Sequence, residues 1–79
     1  MRALVEIRNN EQHIIRVQKV KFHKINDMKV KITLITKRYG VLEIQVPDSA
    51  AHLYKSRLLE RGFANFSGMD ANIINYKGW

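Results

Sequence analysis

HIIRVQKVKFHKI, residues 13–25, decides how the sheet is read. Ile15 and Val17 are apolar on odd numbers, whereas Val20 and Phe22 are apolar on even numbers. Side chains along a strand alternate between faces, so a flat strand here would put one of those pairs in water. Two chain paths rescue both pairs. One extra residue near Gln18–Lys19, a β-bulge, shifts the phase and restores a single apolar face. Alternatively the strand bends sharply and serves two parts of a curved sheet. Either path implies strong twist and coiling.

Working outward, the flanking segments carry cleaner patterns. Residues 2–8 (RALVEIR) set Ala3, Val5 and Ile7 against Leu4, Glu6 and Arg8, which is strand periodicity. NNEQ at 9–12 reads as the turn that follows, since asparagine tolerates left-handed backbone. Asn26-Asp27 marks the next turn. In 28–37 (MKVKITLITK), Val30, Ile32, Leu34 and Thr36 share one face, with Lys29, Lys31, Thr33, Ile35 and Lys37 on the other. Arg38-Tyr39-Gly40 closes a hairpin, with Gly40 supplying a positive φ. In 41–46 (VLEIQV), Leu42, Ile44 and Val46 point inward, and Glu43 and Gln45 outward.

Pro47 has no N–H for a ladder and stops the strand. Asp48 or Ser49 is the expected cap of a helix running to about Arg61, with Ala50, Ala51, Leu53, Tyr54 and Leu58 on one side. Gly62 fits the position just past the helix, with Phe63 folding back onto Leu58 or Leu59. In the last sixteen residues, Ser67-Gly68 and Asp70 suggest a turn, and Ile73, Ile74 and Tyr76 a short strand at an edge. The expected fold is therefore α+β: a strongly twisted antiparallel sheet of four strands, or a small open barrel, then one helix and a short C-terminal strand or tail. One domain spans 1–79, with a basic β-meander over 1–46, the helix over 47–62 and the tail over 63–79. At this size roughly 60% of the unfolded chain's surface is buried, which supports a single modest core.

Charge is the dominant compositional signal. Fourteen Lys and Arg face seven Asp and Glu, a net +7. Residues 1–46 hold ten basic and four acidic side chains, +6; residues 47–79 hold four and three, +1. A field of this sign attracts polyanions, and it belongs to the strand-rich half. The chain has no cysteine, which excludes disulfides, thiolate metal sites and a cysteine nucleophile. No apolar run approaches the ~20 residues of a membrane helix. The first ten residues lack the apolar run of a signal peptide, so a cytoplasmic setting is expected.

Catalytic and metal patterns are weak. Ser49 and His52 lie one helical turn apart, but a nucleophile–base pair also needs an orienting group and an oxyanion site, and Asp48 is better explained as a cap. His13 and His23 stand ~33 Å apart on a straight strand, and no HxH, HxxxH or HExxH spacing occurs. The glycines at 40, 62, 68 and 78 are isolated, so no phosphate loop is formed. No cofactor is implied, and the expectation is a non-enzymatic protein.

The cations suggest where it acts. With both apolar pairs turned inward, Arg16, Lys19, Lys21 and His23 face out, beside Lys29, Lys31 and Lys37. Cross-strand neighbours lie ~5 Å apart, so these side chains can form one array for phosphates. Arg16 and Arg38 add bidentate capacity. Tyr39, at a hairpin tip beside Arg38, is a candidate for base stacking, as are Tyr76 and Trp79 beside Lys77. The same lysines also fit a plain solvated face that blocks edge pairing. The expected site is therefore Arg16, Lys19, Lys21, Lys29, Lys31, Lys37, Arg38 and Tyr39, with nucleic acid as the partner. The alternative partner is an acidic protein surface, bound by a small regulator or inhibitor of the kind mobile elements carry. Outward Ile35 and Val41, rimmed by lysines, favour that second reading. Attachment to a lipid surface is disfavoured, because the helix has few basic residues and a small apolar face.

Overall fold

The computed structural model describes residues 1–7, 11–69 and 71–75, the last five by backbone. The described strands are β1 (Arg2–Ile7), β2 (Glu11–Arg16), β3 (Lys19–Lys24), β4 (Lys29–Ile35), β5 (Val41–Pro47), β6 (Phe63–Asn65) and β7 (Ala71–Asn75). A helix, α1 (Asp48–Ser56), follows β5 and widens into a π-helical turn over Arg57–Arg61. The fold is α+β, but its strands form two sheets. One has the order β2-β1-β6 and the other β3-β4-β5-β7. The expected single four-stranded sheet or small open barrel is thus replaced by two sheets.

The reason lies in the opening stretch. Residues 13–25 are not one bulged strand. β2 pairs antiparallel with β1, whereas β3 pairs antiparallel with β4 in the other sheet. The break falls between two consecutive amides. Val17 N–H donates to Met1 C=O at 2.8 Å, and Gln18 N–H donates to Ile35 C=O at 2.8 Å. One amide closes the first sheet and the next opens the second. The chain turns between them, so odd-numbered Ile15 and Val17 and even-numbered Val20 and Phe22 all face the space between the sheets. The sharply bent strand was the better of the two expected paths.

That space is the core. Ala3, Val5 and Ile7 from β1 meet Ile32, Leu34, Leu42, Ile44 and Val46 from β4 and β5, all buried. Full burial of one such aliphatic side chain is worth roughly 1.5–3 kcal/mol. The β4–β5 register (Ile32↔Ile44, Leu34↔Leu42) makes two cross-strand apolar pairs on the inner face. Phe66, fully buried, fills the gap beside α1, with its ring 4.9 Å from that of Tyr54. Nothing in the sequence pattern of 64–79 had singled it out.

The helix departs from expectation at its start and ends before Gly62 as expected. Its N-cap is Pro47, and no side chain caps it. Asp48 N–H is already engaged, donating to Met28 C=O at 2.8 Å as the β4–β5 ladder runs on. Leu53 is 47% exposed rather than packed, and the apolar anchor is Leu58, fully buried in the π-helical turn. Gly62 ends the segment at φ 72, the left-handed conformation that glycine adopts without a Cβ penalty. Phe63 follows directly. It enters β6, which runs parallel to β1 in the register Arg2↔Phe63 and Ala3↔Ala64. β7 is the edge strand expected near the C-terminus, and it pairs with β5. Of the residues expected in the 9–12 turn, Glu11 and Gln12 belong to β2; residues 8–10 and Tyr76 lie outside the described residues. No described helix is long and apolar enough to cross a membrane.

Candidate polyanion-binding surface

The β-rich half presents two basic regions. The first is the outer face of the larger sheet. Alternation in β3 and β4 sends Lys19, Lys21 and His23, and Lys29, Lys31, Thr33 and Ile35, away from the core. The register sets His23 opposite Lys31, Lys21 opposite Thr33, and Lys19 opposite Ile35. Lys19, Lys21 and Lys29 are exposed. Lys31 is half-buried, and its Nζ lies 3.3 Å from Glu43 Oε2 across β4–β5. A partly exposed pair of this kind contributes about 0.2–1 kcal/mol and ties up one lysine of the row. Among the described residues, no carboxylate pairs with Lys19, Lys21 or Lys29. Alternate residues of a strand are ~6.6 Å apart, so the lysines repeat at a spacing suited to successive phosphates of an extended chain. Ile35 and Val41 face each other on the same side, both half-buried.

The second region is an open cleft of about 1020 Å³ where the two sheets meet. Its walls come from the start of β1 (Met1, Arg2), the end of β2 and the crossing to β3 (Ile14 to Gln18), and the β4–β5 turn (Lys37, Arg38, Tyr39). Among the described residues four cationic side chains line it, Arg2, Arg16, Lys37 and Arg38, and no acidic one does. Arg2 and Arg16 are direct cross-strand partners. Arg2 N–H donates the other way, to Gly62 C=O, and Val17 bonds Met1, which makes Arg2↔Arg16 a non-hydrogen-bonded pair. Side chains stand closest at such pairs, and like charges directly opposite oppose folding. Ile14, 64% exposed, lies on the same outer face of β2 as Arg16.

The turn that carries Lys37 and Arg38 is held from below. Buried Thr36 donates its hydroxyl to Gly40 C=O at 2.7 Å and accepts Tyr39 N–H at 3.0 Å. Gly40 has φ 74, as the hairpin required. Tyr39 is half-buried against the core, with its ring 5.8 Å from that of His13 and 5.6 Å from the Arg38 guanidinium. Its ring is thus a packed wall of the cleft.

The structure therefore divides the expected site residues. Lys19, Lys21, Lys29 and Lys31 share the sheet face, whereas Arg16, Lys37, Arg38 and Tyr39 line the cleft. Sequence reasoning missed Arg2. Its signal was present: a hairpin centred near residue 9 pairs positions summing to 18, which sets Arg2 against Arg16. Tyr76, Lys77 and Trp79 lie outside the described residues. Ser49 and His52 are both exposed on α1, and neither makes a side-chain hydrogen bond among the described residues. Among those residues no group of three His, Asp or Glu side chains is placed to hold a metal ion. His13 and His23 belong to different sheets, and His13 Nε2 lies 3.4 Å from Glu11 Oε2.

Comparison with protein-family models, with curated proteins and with solved structures finds no match to this chain, so its functional reading rests on its own residues.

Proposed function

We propose that the chain is a non-enzymatic module that binds nucleic acid through the outer face of the β3-β4-β5-β7 sheet and the adjoining cleft. One observation carries this reading: +6 of the net +7 belongs to residues 1–46, and only Lys31 of the four sheet-face lysines has a carboxylate partner among the described residues. Each phosphate that such a lysine neutralises releases condensed counterions, which is the main driving force for sequence-independent binding. Lysines on alternate positions hold a phosphate chain in place but read no bases.

The test is anisotropy of labelled single- and double-stranded DNA and RNA across a salt series. With about four lysines engaged, log K falls against log salt with a slope of about −3 to −4. No binding at low salt defeats the reading. A second reading is kept by the apolar residues at the same surfaces, Ile14 at 64% exposure and the half-buried Ile35–Val41 pair. They suit a regulator or inhibitor docking on an acidic protein surface. In that case Ile14→Ser and Ile35→Ser weaken binding as much as lysine removal does.

A further inference from the structure

We propose that the cleft between the sheets is a site for a phosphomonoester dianion borne on a nucleotide, distinct in chemistry from the lysine face. For its macromolecular source, a strand terminus, the proposal rests on the nucleic-acid reading; a free nucleotide is the other source.

Three observations carry it. First, Arg2, Arg16, Lys37 and Arg38 come from three separate elements to line one concavity, and among the described residues no acidic side chain lines it with them. A cluster of this density exceeds what a single diester charge calls for and matches a dianion, whose oxygens accept from two guanidinium forks at once. Second, Arg2 and Arg16 are held face to face at a close cross-strand pair. That placement opposes folding in the empty protein and turns favourable once an anion sits between them. Third, the cleft is too large for phosphate alone. At about 1020 Å³ it matches pockets for whole organic ligands, which run to roughly 1,000 Å³. Exposed Ile14, the Met1 side chain and the edge of Tyr39 offer apolar surface for a base or sugar beside the cations.

The probes are one labelled eight-nucleotide DNA strand with a 5′-phosphate, with a 3′-phosphate and with neither, together with adenosine monophosphate. A phosphorylated end is expected to bind about tenfold tighter than the plain strand. Arg2→Gln brings that ratio close to one. So does Lys37→Gln combined with Arg38→Gln, a pair on an exposed turn whose loss leaves the core untouched. In ¹H–¹⁵N spectra, adenosine monophosphate shifts the amides of 14–18 and 37–39 ahead of those of 19–31. Equal affinity for all three strands overturns this proposal and leaves the nucleic-acid reading standing. Binding of the mononucleotide without any strand keeps the cleft and defeats that reading. Shifts confined to β3 and β4 overturn the cleft site, and no binding by any probe overturns both.

Discussion

The two basic regions are made of different residues by different means. The cations of the sheet face are lysines, and their rows follow from period-2 alternation in β3 and β4. The cations of the cleft are mostly arginine, and they arrive from the smaller sheet and from the β4–β5 turn of the larger one. Lysine is a mobile, strongly hydrated point charge suited to tracking a phosphate chain. Arginine presents a rigid fork suited to gripping one group. On the proposed reading, charge excess sets where a polyanion is drawn, whereas convergence of elements sets where an anion is held.

Both regions hang on one core, and removing its keystone should abolish both together. Phe66 is fully buried and stacks on Tyr54. Phe66→Ala is expected to cost about 3–5 kcal/mol, most of the stability of a domain this small. Urea denaturation measures it. A cost below about 1 kcal/mol shows that the gap beside α1 collapses freely and that β6 is not needed to hold the sheets together.

The next largest effect separates the regions. Lys19→Glu with Lys21→Glu, or Lys29→Glu with Lys31→Glu, replaces two phosphate contacts with two repulsions. Affinity for single-stranded DNA at 50 mM salt should fall by about 100-fold or more, with the circular dichroism spectrum unchanged. The second pair also removes the Lys31–Glu43 contact, so it carries a small stability cost that the first does not. Equal binding by wild type and both variants assigns all affinity to the cleft.

How much of this was legible in sequence follows the same division. The lysine rows were, because alternation in 28–46 is unbroken and Gly40 marks the turn. The phase fault in 13–25 was visible too, but its meaning was not. Whether Val17 and Gln18 continue one sheet or divide between two depends on Met1 C=O and Ile35 C=O, neither of which the local pattern encodes. The helix cap failed for a similar reason: Asp48 N–H is taken by Met28, a partner twenty residues away. β6 is three residues long and pairs in parallel with β1, a contact that carries no local signature. The cleft was least legible of all: Arg2 and Arg16 meet within the β1–β2 hairpin, but Lys37 and Arg38 join them only once both sheets exist.

A smaller change sharpens the contrast from the cleft side. Thr36→Val keeps the shape of a buried side chain but removes two hydrogen bonds beneath the 37–39 turn. The expected cost is about 1–3 kcal/mol. The turn then loses its fixed position, so preference for a phosphorylated strand end drops while the salt slope of the lysine face is kept. If the slope drops as well, Lys37 and Arg38 act as part of the sheet array rather than as part of a separate site.

The smallest effect has an unusual sign. Arg2 and Arg16 stand opposite each other at a non-hydrogen-bonded pair, and neither forms an ion pair with a carboxylate among the described residues. Removing one of two facing like charges should stabilise the fold, and threonine suits an exposed strand position. Arg2→Thr is therefore expected to raise stability by about 0.2–1 kcal/mol at low salt, with the gain shrinking as salt screens the pair. Phosphate should reverse the ranking. In its presence the wild type gains by mass action and the variant gains less, because the anion binds only the folded cleft. Thermal melts of the two proteins, with and without phosphate at constant ionic strength, give both numbers. A variant less stable than wild type in plain buffer means that the two side chains are packing partners rather than opposed charges. The cleft would then lose the strongest physical reason for expecting an anion in it.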